Sequence, residues 1–355
     1  MTDMPEARGP APLRKLSLAL ADIKLAHSVF ALPFAILAAV LVAPVPEFSI
    51  AIVEDATWPA PDPAPERPVA WGVFGVMVVL ILACMVSART WAMLVNRVAD
   101  RGFDADNPRT ARRAFARGDL TGRDGMWLLG GSAGAFVACC ALFGVLFANW
   151  WPALLSLPVL AWIALYSFTK RFTWLCHLFL GGALAASPLA AAIAVDGWFE
   201  SLWPWFHEGT RIDLSREPAV STIHFTEPGV AIPWLAAMVL FWVAGFDVIY
   251  ALQDLDFDRG AGLKSVPARF GWRGAVWIAR ALHALALASL GVAWWIEPRF
   301  GVVFGVGFGV VALTLVLEHT VLARRGHAGI PMAFFTLNGV VSLALGGAGV
   351  LDALL

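Results

Sequence analysis

Polar oxygen-bearing side chains recur at helical spacing in a short stretch near residue 100. Asn96, Asp100 and Asp104 are four residues apart, so on a helix their side chains lie on one face. Carboxylates held this close together repel one another unless a cation joins them. Mg²⁺ prefers hard oxygen ligands of this kind and bridges them to substrate phosphates. This first acidic stretch (96–104) therefore predicts a magnesium site.

A second acidic stretch lies at 247–258. Asp247, Asp254 and Asp258 fall on one helical face with Tyr250 beside them, whereas Asp256 points away from that face. A magnesium diphosphate takes ligands from two sides, and two facing DxxxD helices supply them. The predicted metal ligands are Asn96, Asp100, Asp104, Asp254 and Asp258. The predicted catalytic residues are Asp100, Asp104, Asp247, Asp254 and Asp258.

Several basic residues are placed to hold the diphosphate oxygens that the metal does not bind. Lys170 and Arg171 follow an apolar run, and Lys264 lies in the loop after the second acidic stretch. Arg89 precedes Asn96 by seven residues, on the same helical face. The predicted diphosphate-binding residues are Lys24, Arg89, Lys170, Arg171 and Lys264. The residues predicted to line an acceptor cavity are His27, Asn96, Tyr166 and Tyr250.

A simpler interpretation is that these aspartates pair with nearby arginines in solvated loops. The arginines available for such pairs are Arg97, Arg101, Arg109, Arg112 and Arg113. A single DxxxD pair would favour this interpretation. Two pairs, each at the end of an apolar run and both on one side of a membrane, favour a shared metal site, because ionisable residues at membrane depth are costly and usually functional.

The elements that must position these residues are membrane-spanning helices. The chain has 355 residues, of which 59% are hydrophobic and 14% charged, whereas soluble domains carry about 25% charged residues. A helix needs about 20 apolar residues to cross a bilayer, and backbone groups in lipid must pair within helices. We predict an all-α bundle of nine transmembrane helices, near 26–44, 70–93, 126–147, 150–168, 174–195, 231–250, 274–296, 300–322 and 332–353.

The side of the membrane follows from the basic residues of the loops. With a cytoplasmic amino terminus, the inner segments hold 19 Lys and Arg residues and the outer segments hold 4. The sequence therefore predicts a multi-pass membrane protein, surrounded by lipid, with both acidic stretches facing the cytoplasm. We expect a cytoplasmic tail at 1–24 and one transmembrane domain at 25–355. The net charge of −1 gives no indication of nucleic-acid binding.

With these motifs the chain resembles the UbiA superfamily of intramembrane prenyltransferases over most of its length, roughly 20–353. That family's first motif, NxxxDxxxD, is matched at 96–104. Its second, DxxxD followed by GxKS, is matched at 254–265, and its Tyr/Lys element is similar to 166–170. The resemblance implies Mg²⁺-dependent transfer of a polyprenyl group from its diphosphate to an aromatic ring. It also implies a tail that leaves sideways between helices into lipid.

Within the superfamily, the chain is most similar to the branch that prenylates 4-hydroxybenzoate for ubiquinone, because Asp247 and Tyr250 precede Asp254 with that branch's spacing. Arg97, however, stands where ubiquinone-pathway members usually carry an aspartate. The stretch 24–34 is also similar to a sister group that includes menaquinone-pathway enzymes acting on 1,4-dihydroxy-6-naphthoate. Both aromatic acids therefore stay open as acceptors.

Two other classes of membrane protein have different signatures. A transporter places its polar site near the bilayer midplane in broken helices, whereas these acidic residues cluster at one membrane face. CDP-alcohol phosphotransferases require an Asp-Gly step within a DxxDGxxAR run, and the surroundings of Asp124 and Gly125 lack that spacing. Both classes fit the sequence less well than a prenyltransferase does.

Overall fold

A computed structural model describes residues 15, 17–19, 30–43, 71–196 and 229–355. Within these residues the regular structure is helical. Short 3₁₀ segments cover Leu252–Asp254 and Gly326–Gly329, and a π-helix covers Met332–Leu337. The α-helices are α1 (Leu32–Val42), α2 (Trp71–Ala99), α3 (Arg101–Asp106), α4 (Ala114–Arg117), α5 (Gly122–Phe147), α6 (Trp151–Thr169), α7 (Cys176–Asp196), α8 (Ile232–Ala251), α9 (Leu255–Gly260), α10 (Val266–Ile296), α11 (Val302–Arg325) and α12 (Asn338–Leu354).

Eight helical segments in the described part of the chain are long and apolar enough to cross a membrane. They correspond to the second to ninth predicted spans, so the prediction of an all-α integral membrane protein is confirmed. The predicted count of nine spans is one more than the eight found in the described residues. The first predicted span, 26–44, is represented by α1, whose 11 residues are fewer than the about 20 that a crossing helix needs. Residues 26–29 and 44 lie outside the described ranges.

Helix α8 lies at the centre of the bundle, and its Trp242 is fully buried. Small residues bring its neighbours close. A side chain added at Gly181 of α7 would collide with the Leu240 carbonyl oxygen, and one added at Gly245 would collide with the His283 ring of α10. Helices in lipid commonly pack through small residues in this way. The close contact of α7 with α8 positions the polar groups that both helices carry.

Both acidic stretches contain a break in a spanning helix. Asp100, between α2 and α3, has φ −98° and ψ 8°, and Asp254, before α9, has φ −103° and ψ 9°. Both conformations lie in the sparsely populated bridge region, where many active-site residues are found. Each stretch is therefore helical on both sides of a bend at these two residues rather than one continuous helix. The helical hydrogen bond from the Asp104 N–H to the Asp100 carbonyl is kept, at 2.7 Å.

Asp124 has a structural role at the start of α5. It forms a capping box with Thr121, in which each side chain accepts a hydrogen bond from the other residue's backbone N–H. Such boxes satisfy the free N–H groups of a helix start. Asp124 also accepts a hydrogen bond from Lys15 Nζ at 2.8 Å. These contacts account for the Asp-Gly step at 124–125 without phosphotransferase chemistry.

Candidate active site

In the first acidic stretch, cations from two other parts of the chain contact the aspartates. Asp104 is buried, and both of its oxygens accept hydrogen bonds from Arg113 Nη1 at 2.7 Å. Asp100 accepts hydrogen bonds from Asn96 Nδ2 at 2.9 Å and from Arg171 Nη2 at 3.3 Å. Arg171 lies in the turn between α6 and α7, so this turn is tied to the end of α2.

The second acidic stretch is neutralised from the same two segments. Arg109 makes a two-point contact with Asp254, donating from Nε at 3.0 Å and from Nη2 at 2.6 Å. Asn107 Nδ2 donates to the same carboxylate at 3.2 Å. Asp258 is buried and accepts a hydrogen bond from Lys170 Nζ at 3.4 Å. Two-point contacts of this kind fix the guanidinium plane as well as its position.

These cations connect the two acidic stretches crosswise. Arg109 follows the first stretch along the chain but binds Asp254 of the second. Lys170 and Arg171 are neighbours, and they bind Asp258 and Asp100, respectively. Neighbouring residues reach both carboxylates only if these are close. The two stretches therefore face each other across the span of two side chains, as a shared diphosphate site requires.

Burial and neighbouring charges shift the pKa of Asp100 and the pKa of Lys170. Burial raises the pKa of Asp100, and the hydrogen bond from Arg171 opposes that shift. Burial alone would lower the pKa of Lys170, but nearby carboxylates, that of Asp258 foremost, raise it above its usual range. Lys170 is therefore charged at neutral pH and available to an anion.

Asp247 lies deeper in α8 and contacts His177 of α7, which in turn contacts the start of α10. His177 Nδ1 is 2.7 Å from its Oδ2, and the Val266 backbone N–H donates to His177 Nε2 at 3.2 Å. Because Nε2 accepts a hydrogen bond, the proton of the neutral imidazole is on Nδ1. His177 therefore donates to Asp247 and fixes its carboxylate at the wall of the adjacent cavity.

An apolar cavity of about 740 Å³ extends from this junction into the bundle. Asn96, Asp247 and Tyr250 lie at its polar end, which we call the mouth, and Arg89 and Tyr166 also line it. In the described part of the chain, Arg89 Nε is buried without a hydrogen-bond partner. A buried donor without a partner costs free energy. Arg89 is therefore suited to an anionic group that enters the cavity.

The predicted diphosphate-binding residue Lys264 contacts a backbone carbonyl rather than an aspartate of this junction. Lys264 Nζ donates to the Phe172 carbonyl at 3.2 Å, and the Lys264 backbone N–H donates to the Lys170 carbonyl at 2.6 Å. Its side chain therefore braces the turn between α6 and α7. Lys24 and His27 lie outside the described residues.

The donor set bears on which metal complex the site could hold. Among the described residues, no three Asp, Glu, His or Cys side chains converge on one point as in a preformed metal site. The four aspartates of the two DxxxD pairs each contact a guanidinium or ammonium group instead. A metal ion held here would complete its shell with phosphate oxygens and water, as Mg²⁺ does.

Four residues of the site were not among the predicted site residues: Asn107, Arg109, Arg113 and His177. Arg109 and Arg113 had been named only under the simpler interpretation, as arginines that could pair with the aspartates, and the structure shows both pairs. A signal for the first three is present in the sequence, because Pro108 cannot continue a helix. Asn107 before it is extended, with φ −92° and ψ 116°, as expected for a residue preceding proline. The chain therefore turns after α3, and the following arginines reach back to the carboxylates.

Comparison with known proteins finds similarity to members of one family. The family model for the UbiA prenyltransferase family matches residues 64–340. The 4-hydroxybenzoate octaprenyltransferase of Alcanivorax borkumensis is 30% identical over 255 residues, covering 70% of this chain and 73% of that protein. The apo structure of a UbiA homologue from Aeropyrum pernix K1 has a TM-score of 0.66 and 29% identity, and the match covers 94% of this chain and 99% of that one. A UbiA homologue from Archaeoglobus fulgidus bound to GPP and Mg²⁺ shares the fold, with a TM-score of 0.59, 16% identity and 95% and 100% covered.

Proposed function

Because the chain belongs to the UbiA prenyltransferase family, we propose that it transfers a polyprenyl group from a Mg²⁺-bound diphosphate to an aromatic acid, with 4-hydroxybenzoate as the acceptor. The observation that carries this proposal is the pair of acidic stretches, which face each other across shared cations at the mouth of an apolar cavity. The polar mouth suits a diphosphate, and the cavity suits its prenyl tail.

We propose that two kinds of group bind the diphosphate, namely Mg²⁺ and basic side chains. Bound Mg²⁺ would neutralise the charge that develops on the leaving diphosphate. Arg109, Arg113, Lys170 and Arg171 would then exchange a carboxylate partner for a diphosphate oxygen, an anion that guanidinium groups bind well. The proposed metal ligands are Asn96, Asp100, Asp104, Asp254 and Asp258.

The acceptor would lie deeper in the cavity. Arg89 is seven residues from Asn96, about 10 Å along α2. That separation is large for two contacts to one phosphate group, but it suits an aromatic acid whose carboxylate binds Arg89. Asp247, held by His177, would accept a hydrogen bond from the ring hydroxyl and increase the electron density of the ring. Tyr166 and Tyr250 would line the space around the ring.

The membrane surroundings complete the proposal. The apolar wall of the cavity keeps water away from the carbocation-like centre formed when the allylic C–O bond breaks. We place the mouth on the cytoplasmic side of a bacterial inner membrane, since the segments assigned to that side hold 19 of the 25 Lys and Arg residues. Residues 25–355 would act as one domain.

A second acceptor, 1,4-dihydroxy-6-naphthoate, is favoured by one observation. Arg97 occupies the position at which ubiquinone-pathway relatives usually carry an aspartate. Its Nη1 donates to Asn96 Oδ1 at 2.8 Å, so the Asn96 amide turns its Nδ2 toward Asp100. A cation therefore stands directly beside the proposed metal ligands where ubiquinone-pathway relatives carry an acid. This departure from the ubiquinone-pathway motif keeps the menaquinone-pathway acceptor as the second candidate.

The test is a prenylation assay in membranes with Mg²⁺, a polyprenyl diphosphate and equal amounts of the two acids, with products identified by mass spectrometry. We expect prenylated 4-hydroxybenzoate, and no product after chelation of Mg²⁺. Arg89→Gln should raise KM for 4-hydroxybenzoate about tenfold or more, as expected for a lost charged hydrogen bond. It should leave KM for uncharged 4-hydroxybenzamide unchanged. Folded protein that prenylates neither acid with any donor length would contradict the proposal.

A further inference from the structure

We propose that Asn338 is a positioning residue for the aromatic acceptor, because it holds a π-helical turn that presses Phe334 against Tyr250 in the wall of the cavity. This step rests on the proposed function, which places Tyr250 beside the acceptor ring. Asn338 is the first residue of α12 and is fully buried. Its side chain hydrogen-bonds to Trp242 and to the π-helix, so it acts on the site through the residues that it holds.

The π-helix determines which side chains of the last span face the cavity. It covers Met332–Leu337, and α12 follows directly. In a π-helix each hydrogen bond reaches one residue further along the chain than in an α-helix, so one turn takes in about one extra residue. One residue corresponds to about 100° of rotation about the helix axis. If this turn became α-helical, the side chains before it would rotate by about that angle relative to α12.

Asn338 binds three consecutive carbonyls of this turn. Its Nδ2 donates to the carbonyls of Ala333 and Phe334 at 2.9 and 3.2 Å, and its backbone N–H donates to the carbonyl of Phe335. A π turn departs from the α-helical hydrogen-bond pattern, and a backbone group left unpaired within a membrane is costly. Asn338 therefore stabilises the π turn relative to an α-helical one.

Trp242 of α8 fixes the orientation of the Asn338 amide. Its Nε1 donates to Asn338 Oδ1 at 2.6 Å, and both residues are fully buried. An indole N–H only donates, whereas an amide offers one acceptor oxygen and two N–H donors. The oxygen faces Trp242 and the two N–H groups face the carbonyls. A carboxylate or an aliphatic side chain of the same size cannot make these three hydrogen bonds.

The π turn places Phe334 in the aromatic wall of the cavity. Its ring centroid is 4.2 Å from that of Tyr250 and 5.4 Å from that of Phe246, and all three residues line the cavity. The Tyr250 hydroxyl accepts a hydrogen bond from Arg109 Nη1 at 3.2 Å. Tyr250 is therefore held at its hydroxyl by Arg109 and at its ring by Phe334. Of these two contacts, the one with Phe334 depends on Asn338.

Fluorine NMR tests this positioning without an assay of turnover. The chain contains two tyrosines, Tyr166 and Tyr250, so protein labelled with 3-fluorotyrosine reports on each, and Tyr166→Phe assigns the signals. We expect Asn338→Leu to reproduce most of the shift of the Tyr250 signal that Phe334→Leu causes, because both variants remove the Phe334 ring from the Tyr250 ring. The Tyr166 signal should stay in place.

Asn149→Leu is the matched control. Asn149 Nδ2 also donates to two backbone carbonyls, those of Ile193 and Ala194, at 2.7 and 3.1 Å. Ile193 lies about 24 Å along α7 from His177, so the same kind of hydrogen bond is lost far from the acidic stretches. This control should move neither tyrosine signal. A shift of the Tyr250 signal in the control as well would indicate general loosening of the bundle and overturn the inference.

The prenylation assay tests the effect on the acceptor. Asn338→Leu should raise KM for 4-hydroxybenzoate about fivefold, the effect of one lost aromatic contact. KM for the polyprenyl diphosphate should stay at the wild-type value, because Arg109 keeps its two hydrogen bonds to Asp254. Phe334→Leu should give the same pair of results. The double variant should be no worse than either single variant, because both act through one contact, and additive losses would contradict the inference.

The two measurements separate this inference from the proposed function. If neither acid is prenylated but Asn338→Leu shifts the Tyr250 signal alone, the positioning of Tyr250 by Asn338 stands and the proposed function fails. If the Tyr250 signal does not move, or if it moves while an active enzyme keeps the wild-type KM for the acid, the inference is wrong. Should Asn338→Leu not fold, Trp242→Phe carries the same test, because it removes the hydrogen bond that orients the amide.

Discussion

At Asp100 and at Asp254 the chain makes the same bend, with φ and ψ values that agree within a few degrees. A six-residue helix follows each bend, and the second aspartate of each pair, Asp104 or Asp258, lies within that helix. The two acidic stretches are therefore one local structure used twice, at the ends of two spanning helices. The surroundings of their side chains are different.

The second stretch is the more enclosed. The side chain of Asp254 is 10% exposed and accepts three hydrogen bonds from Asn107 and Arg109, whereas that of Asp100 is 27% exposed and has Arg171 at 3.3 Å. The charge of Asp254 is thus balanced by Arg109 within the protein, and these contacts hold the loop 107–113 in place. Asp100 keeps a more open carboxylate. The second copy of the motif therefore mainly holds the loop in place, and the first leaves its carboxylate more accessible to a ligand.

Removing an aspartate from either stretch should have the largest effect. Asp254→Asn and Asp100→Asn are each expected to lower kcat about 10³-fold, because a charged group facing the metal diphosphate is lost. Asp256→Asn is the control, since Asp256 is exposed beside the same motif, and it should keep nearly the wild-type rate. The measurement is prenylation as Mg²⁺ is titrated.

Thermal unfolding of the same variants sharpens the comparison. Asp254→Asn should lower Tm by about 2–4 °C, because the loop 107–113 loses its ionic anchor. Asp100→Asn should lower Tm less. A wild-type rate in either variant would refute the metal assignment, and an equal fall in Tm would refute the difference between the stretches.

Substitution of the arginines tests the crosswise contacts between the two acidic stretches, and we expect losses of kcat/KM of intermediate size. Arg109→Gln breaks the contact of the loop 107–113 with Asp254 of the second stretch and should lower kcat/KM about 100-fold. Arg113→Gln removes the contact of the same loop with Asp104 of the first stretch, and we expect a loss of about tenfold. Arg117→Gln is the control, because Arg117 is 54% exposed and pairs with Asp119. Equal losses in the first two variants would argue against a special role for Arg109.

Two lysines should give the smallest effects. Lys170 contacts Asp258, whereas Lys264 contacts the carbonyl of Phe172. Lys170→Gln should lower kcat/KM about tenfold through lost charge at the diphosphate. Lys264→Gln should change it less than about threefold, as is usual for an exposed charge. A loss with Lys264→Gln as large as that with Lys170→Gln would show that Lys264 moves to the diphosphate during the reaction.

The sequence by itself determined the features of this protein that depend on neighbouring residues. Apolar runs of bilayer length identify eight of the spanning helices, because the thickness of the membrane sets how many residues each must have. The four-residue spacing of the aspartates identifies the acidic stretches, because the helical repeat sets which side chains lie together. It also separates Asp256, which is exposed, from Asp254 and Asp258, which are buried.

Only the tertiary structure decided which groups meet across the bundle. Arg109 and Asp254 are 145 residues apart in the chain, Arg171 and Asp100 are 71 apart, and His177 and Asp247 are 70 apart. No local repeat encodes such pairs. They form because small residues let α7 and α8 pack closely and because the bends after α2 and α8 turn their loops over the same end of the bundle. Side-chain partners are set by the helix crossings, and these depend on packing over the whole chain.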